Sequence, residues 1–266
     1  MACKISLVVP NLKLTQLEWF FHQNWPLLRE ELKSRCFQLI IVTSAVKKTE
    51  IEAWKAKYPG VQWVTIVDNC GFASTVNTGF ALGGGEWLAT ANDDVILSKG
   101  WWQACLSVAD DKTGSINPVI LNQSGEVESA GIRVLPQGKA EALTKVLERG
   151  RAVVDATNGA AVLYRRDLLK KIGYFNQCFG SYLEDIDLSL RIKKVGFQNV
   201  VCFDASIIHY GHASGYIGVR KSWHDTKNWW LIVLSHWTAR EWLTHAPSIA
   251  LERGRNLSGL FKSLFR

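Results

Sequence analysis

The chain has 266 residues, 47% hydrophobic and 21% charged, with six Pro and 21 Gly. That profile supports a sizeable core in about one or two domains and excludes collagen-like, low-complexity and disordered chains. A net charge of +7 admits nucleic acid, anionic lipid or phosphorylated ligands as partners, but no nucleic-acid module is visible, so nucleic acid is not expected. The six cysteines, at 3, 36, 70, 105, 178 and 202, are isolated from one another, which fits a reducing compartment better than a disulfide framework or zinc site. No apolar run near the C-terminus approaches the roughly 20 residues of a bilayer span, and Ile5–Val9 is too short for a signal-peptide core. A cytoplasmic location follows as the expectation.

In chain order, Ile5–Val9 reads as a buried strand ended by Pro10 and Asn11. Leu14, Leu17 and Phe21 have helical spacing, and Pro26 predicts a break with a second short helix through Leu28 and Leu32. Phe37–Val42 is a second strand, Thr49–Tyr58 a helix closed by Pro59 and Gly60, and Val61–Val67 a third strand. Ala73, Val76 and Phe80 mark a helix that stops at Gly83, and Trp87–Ala91 is a fourth strand. Strands alternating with helices imply βαβ units and a mostly parallel sheet, hence an α/β fold. Residues 113–157 read as short strands and loops. Ala160–Tyr164 is a strand, a short helix runs to Ile172, and Glu184–Val195 is a helix. Val200–Phe203 and Ile207–His209 are strand-like, and from Val219 the chain reads as helical, basic and rich in Trp.

Three clusters carry chemistry. Asn92-Asp93-Asp94 follows the fourth strand, where open α/β sheets bind ligands; adjacent carboxylates suit a hard divalent cation and, through it, phosphate oxygens. The same residues also make ordinary turns. Glu184-Asp185-Ile186-Asp187 opens a helix, where the dipole favours ionised acids and Asp187 can pair with Arg191 at i,i+4. The aromatic run before it, Tyr174, Phe175 and Tyr182, can wall a pocket around a carboxylate base or belong to the core. His209 ends a strand and can complete a metal site or serve as a structural histidine.

Residues 69–97, Asn-Cys-Gly-Phe-Ala-Ser-Thr-Val-Asn-Thr-Gly-Phe and then Gly-Glu-Trp-Leu-Ala-Thr-Ala-Asn-Asp-Asp-Val-Ile-Leu, resemble the donor-site segment of family 2 glycosyltransferases. Residues 158–214 resemble that family's second signature: Asn158-Gly159-Ala160, Ile172-Gly173-Tyr174-Phe175, Tyr182-Leu183-Glu184-Asp185-Ile186-Asp187, Arg191, and His209 before Ser214. The similarity covers about residues 1–215 and is nearest the rhamnosyl- and galactofuranosyltransferase branch.

The resemblance implies a GT-A fold over residues 1–218, with a C-terminal helical extension over 219–266, and an inverting transfer from a nucleoside-diphosphate sugar to a glycan or lipid-linked glycan hydroxyl. A divalent cation, Mn²⁺ or Mg²⁺, is implied, with Asp94 and His209 as its ligands and Asp185 as general base. Asn69, Gly71 and Asn77 match the donor-side segment, Asn92 and Asp93 stand beside Asp94, and Asn158 and Gly159 of the second signature are further substrate-binding positions; Glu184 and Asp187 flank the base, where orienting or acceptor contacts are implied. Two positions depart from the family pattern. Val9-Pro10-Asn11 replaces a hydroxyl, an aromatic and Asn, and Val42-Thr43-Ser44-Ala45 lacks the usual acid, leaving Thr43 or Ser44 to offer a weaker contact. A sugar-nucleotide-forming nucleotidyltransferase is disfavoured, because Pro10-Asn11-Leu12-Lys13 is no Gly-rich loop; a degenerate nucleotide-sugar or glycan binder is the other alternative. The C-terminal Trp and basic residues form either an amphipathic membrane-surface helix, a cap on the catalytic domain or a homodimer interface.

Overall fold

The computed structural model describes residues 3–67, 71–211 and 219–264. Its first half alternates strand and helix: β1 (Ile5–Asn11), α1 (Leu14–Leu32), β2 (Phe37–Thr43), α2 (Ile51–Lys57), β3 (Gln62–Thr65), α3 (Phe72–Leu82) and β4 (Trp87–Ala91). Then come β5 (Val95–Leu97), α4 (Trp101–Ser107), β6 (Thr113–Leu121), β7 (Val127–Ser129), β8 (Ile132–Val134), β9 (Ala140–Ala142), β10 (Arg151–Val154) and β11 (Ala161–Arg165). The chain finishes with α5 (Arg166–Ile172), a 3-10 turn at Gln177–Phe179, α6 (Glu184–Lys194), β12 (Gln198–His209), α7 (Val219–His236) and α8 (Ala239–Leu264).

The central sheet runs β10-β12-β6-β11-β4-β1-β2-β3, with β5 on β12 and β7 on β6. The half β4-β1-β2-β3 is parallel, as the alternation implies. Its strands are apolar on both faces because both faces are covered. Leu7, Val9, Leu39 and Ile41 pack with Leu17, Phe20, Phe21 and Leu28 of α1. Val8, Ile40 and Val42 pack with Val76 and Phe80 of α3, in a cluster that also holds Leu168 of α5 and Ile192 of α6. β11 joins antiparallel to β4 and β6, and β6 pairs parallel with β12.

Several elements differ from the sequence reading. Pro26 does not split α1, which continues through it for 19 residues. Proline frees the carbonyl four residues back, on His22, but His22 and Pro26 both face solvent, so water can satisfy it. Buried Phe20, Phe21 and Leu28 hold the helix on either side. Buried Asn24 adds a clamp, donating to Val95 O and accepting from Leu97 N, which fixes β5 against α1. β6 is a nine-residue strand, buried except at Leu121, where short strands and loops are expected. Its small and polar residues disguise it. A Cβ on Gly114 would meet Ile192 at 2.5 Å, and Ser115 donates to Asn199 at 2.7 Å. The third difference is β12, a single 12-residue strand with an irregularity between Cys202 and Ser206 where two strand-like pieces are expected. α4 lies in a stretch to which the sequence reading assigns no element.

α7 packs into the body of the fold. Buried Asn228 donates to the carbonyls of Phe179, Ser181 and Tyr182 at 3.0, 2.9 and 2.6 Å. The same loop turns into α6 through Tyr182 and Leu183, both non-glycine residues at positive φ, 72° and 67°. Such backbone costs about 1–3 kcal/mol per residue and persists only where its surroundings hold it. The Asn228 amide is one such restraint.

Candidate active site

A cleft of about 550 Å³ opens at the carboxyl ends of β1 and β4. It collects Gly71, Asn92, Asp93, Asp94, Asn158, Gly159, Glu184, Asp185 and His209 in its lining. Nine of the twelve site positions singled out by sequence therefore converge on one cavity. Asn69 lies outside the described residues. Asn77 lies outside the lining: its amide donates to Phe175 O at 2.8 Å and accepts from Phe175 N at 3.1 Å, tying α3 to the loop before α6. Asp187 is also outside the lining, for a reason given below.

The acidic turn after β4 is buried. Asp94 is 1% exposed and Asp93 6%. Burial raises Asp93 to about 7; the Asn11 hydrogen bond opposes the rise and the neighbouring charge of Asp94 adds to it. Asn11 donates to Asp93 Oδ2 at 2.6 Å, while its own Oδ1 accepts from the Thr43 hydroxyl at 2.9 Å. Thr43 in turn accepts from Ala45 N at 2.9 Å. The two strand ends that depart from the family pattern thus join in one chain of hydrogen bonds that orients Asp93. Thr43, fully buried, is spent on Asn11 and offers no hydroxyl to a ligand.

His209 reaches the acidic turn through β-pairing. β12 runs antiparallel to β5 with His209 opposite Val95, which sets the ring beside Asp94. His209 Nε2 lies 3.4 Å from Asp94 Oδ1, and Nδ1 lies 3.0 Å from Glu128 on β7. Burial opposes a charged imidazole, but the Asp94 hydrogen bond and charge, reinforced by Glu128, outweigh it and raise His209 to about 9. A carboxylate behind the far ring nitrogen is the arrangement that orients ligating histidines. Among the described residues no group of three or more His, Cys, Asp or Glu lies ready to enclose a metal. Asp94 and His209 are the two groups of the cleft that could hold a divalent cation. Glu128 escaped the sequence reading, since nothing in Val127-Glu128-Ser129 distinguishes it from a surface strand.

The base candidate stands across the cleft. Asp185 Oδ2 accepts from Gly159 N at 2.8 Å and Oδ1 from Ile186 N at 2.8 Å. Its position in the first turn of α6 predicts an ionised group, but burial is the larger effect and raises its pKa despite these bonds. Gly71 closes the other side: at φ +88°, a Cβ there would sit 2.7 Å from Gly180 O, so only glycine allows the approach of the two loops. Phe175 is core, stacked on Phe80 at 5.8 Å and 21°. Tyr182 faces the cleft, joined by Trp229 and Asp225 of α7, which the sequence reading did not place there.

Glu184 is 6% exposed, and its Oε2 has no hydrogen-bond partner. Burial, then the charges of Asp185 and Asp187, push its pKa well above the ordinary carboxylate range. Its raised value means the native state takes up a proton that the unfolded chain has released. That contribution to stability is complete below the ordinary carboxylate range and is lost as pH rises toward the folded value. Glu184→Gln keeps the neutral shape without the proton, so its stability advantage over the parent should grow from pH 5.5 to pH 8.5 in denaturant midpoints. An advantage that stays flat with pH would mean Glu184 is already ionised in the native protein.

Asp187 is engaged on both oxygens: Oδ2 accepts from Arg191 at 2.9 Å and Oδ1 lies 2.8 Å from His236 Nε2 of α7. With Asp187 and His236 both buried, this triad fastens α7 to α6. Both oxygens of Asp187 are thus held by protein groups. Asp187→Asn should cost about 1–3 kcal/mol of stability by leaving a buried partner short of an acceptor. Turnover of the folded variant should stay within a few-fold of the parent, read by thermal midpoint and initial rate on the same sample.

The chain resembles known proteins in sequence and in fold. The sequence model of the family described as "Glycosyltransferase like family 2" matches residues 27–229. The N-acetylglucosaminyl-diphospho-decaprenol L-rhamnosyltransferase of Mycobacterium tuberculosis is 25% identical over 190 residues, covering 60% of this chain and 62% of that protein. The chain thus spans less than two thirds of that relative. Among solved structures, GalNAc-T7 with UDP, GalNAc and Mn²⁺ superposes with a TM-score of 0.67 at 14% identity, over 87% of this chain and 48% of that one. The mannosyltransferase PcManGT from Pyrobaculum calidifontis, in complex with GDP-Man and Mn²⁺, gives 0.64 at 15% identity, over 99% and 74%.

Proposed function

The chain belongs to the glycosyltransferase family 2-like proteins and has their GT-A fold, and from that premise we propose that it is a metal-dependent inverting transferase. It moves a hexosyl or deoxyhexosyl group from a nucleoside-diphosphate sugar to an acceptor hydroxyl, in polysaccharide or glycoconjugate synthesis. The observation that carries this reading is the cleft itself, with Asp94 and His209 on one wall and Asp185 on the other. The rhamnosyltransferase relative, by its name, acts on a diphospho-decaprenol-linked sugar. We extend that to a lipid-linked glycan acceptor here, which puts the reaction at the inner face of the cytoplasmic membrane.

In this mechanism Asp94 and His209 would hold a Mn²⁺ or Mg²⁺ ion, with Glu128 fixing the ring so that Nε2 faces Asp94. The cation, when bound, neutralises charge growing on the diphosphate leaving group. Asp185, across the cleft, takes the acceptor proton as that oxygen attacks the anomeric carbon from the face opposite the leaving group. Gly159 and Ile186 amides orient its carboxylate, and its raised proton affinity favours the transfer. Tyr182 and Trp229 give flat apolar faces on which sugar C–H groups can stack.

The deciding experiment is release of free nucleoside diphosphate from a panel of sugar nucleotides, with Mn²⁺, with Mg²⁺ and with chelator. Metal-dependent release from one donor, stimulated by a glycan acceptor, is the expected result. Tight donor binding without release in any condition would leave a nucleotide-sugar binder.

A further inference from the structure

α8 is 26 residues long, about 39 Å at 1.5 Å per residue. Its inner side is buried through Ile249 and Arg253, and Trp242 stacks on Trp230 of α7. Its outer side carries an apolar row. Leu243, Leu251, Leu257 and Phe261 are 81%, 60%, 40% and 61% exposed. At 100° per residue these four fall within about 120° of one another. Pro247, Ala250 and Gly254, also exposed, lie between them. Scattered exposed leucines are ordinary, but a row along one long helix marks a contact surface.

The charge of the chain says what covers it. Residues 219–266 hold eight Lys and Arg against three Asp and Glu, while the preceding 218 hold 23 against 21. Most of the net charge therefore sits in the segment that bears the apolar row. Both acids of α8 are engaged: Glu241 accepts from Thr238 at 2.7 Å, and Glu252 pairs with Arg255 at 3.2 Å. A second copy docked on this face would bring two strongly basic segments together, whereas an anionic surface would relieve their repulsion. Among the described residues no helix is long and apolar enough to cross a membrane, so α8 would lie along a surface.

We propose that the outward face of α8 docks on an anionic lipid surface, with the four apolar side chains entering the headgroup boundary and the basic residues meeting lipid phosphates. This deepens the lipid-linked acceptor reading but is measured without it, since vesicle binding needs neither donor nor acceptor. The full chain should sediment with mixed phosphatidylglycerol–phosphatidylcholine vesicles, not with pure phosphatidylcholine, and less so as salt rises. Combining Leu243→Asp with Phe261→Asp should lower partitioning at least about tenfold without moving the thermal midpoint or the rate of nucleoside diphosphate release. Arg240→Glu with Arg255→Glu, which leaves the apolar row intact, should weaken binding to the anionic vesicles alone. The proposal is overturned if the parent binds no vesicle, binds neutral vesicles equally, or binds undiminished in the aspartate variant. It is equally overturned if light scattering finds a dimer that the aspartate variant dissociates, because a second copy then covers the face.

Discussion

Asp185→Asn is expected to lower turnover at least about a hundredfold, the lower end of what a general base contributes, while donor affinity stays nearly unchanged. The substitution keeps the side chain's size but removes its ability to take a proton. It also replaces one oxygen by an NH₂ group, so of the bonds from Gly159 N and Ile186 N only one can be kept. A thermal midpoint must accompany the rate, so that lost orientation is separated from lost basicity. The pH dependence offers a second reading. The base works ionised, so activity falls as pH drops through its pKa, which burial raises. The acidic limb of kcat/KM should therefore lie above the ordinary aspartate range, and it belongs to the Glu184–Asp185 pair together. A limb in the ordinary range, or full turnover in Asp185→Asn, would take the base role away from this residue. If Asp187→Asn abolished turnover in a folded protein while Asp185→Asn retained it, the two roles would be exchanged.

Asp94→Ala should abolish metal-dependent donor binding while leaving the fold intact. Asp94 is buried at the turn after β4 and shares His209 with Glu128. Losing a partner behind a ligand typically costs about 10–100-fold in metal affinity; losing a ligand should cost more. Glu128→Gln keeps an acceptor for His209 Nδ1 and removes the charge, so it should show the milder loss. Calorimetry of donor binding with and without Mn²⁺ on both variants checks the order. Unchanged metal-dependent affinity in Asp94→Ala would return the acidic turn to the ordinary turn that Asn and Asp also make.

How much of this was legible in sequence depends on the range of the interaction responsible. The alternation from Ile5 to Ala91 predicted β1, β2 and β4 closely, because a strand buried on both faces is a continuous apolar run and the helix between two such strands has its own periodicity. β6 reads as short strands and loops because its residues satisfy neither rule: Gly114 is small to admit Ile192, and Ser115 is polar but bonded to Asn199, 84 positions away. Pro26 misled for the converse reason, since a local breaking signal was outweighed by core contacts on both sides of it.

The candidate site divides in the same way. Asp94, Asp185 and His209 could be singled out because their chemistry sits in local motifs at strand and helix ends. That they face one cleft was settled by the sheet, through the pairing of His209 with Val95 and the bond from Gly159 to Asp185. The partners that tune them were beyond reach: Glu128 behind His209, the Thr43–Asn11 relay to Asp93, and α7 with Asn228 and Trp229. The ionisation of Asp185 was read from the helix terminus alone, whereas burial, which only the assembled fold creates, is the larger effect. Propensity and periodicity act within a few residues, so the order of amino acids shows which groups are available and which strand or helix end carries each. Which groups meet, and how strongly each holds its proton, depends on proximity and desolvation between segments far apart in the chain, and these arise only on folding.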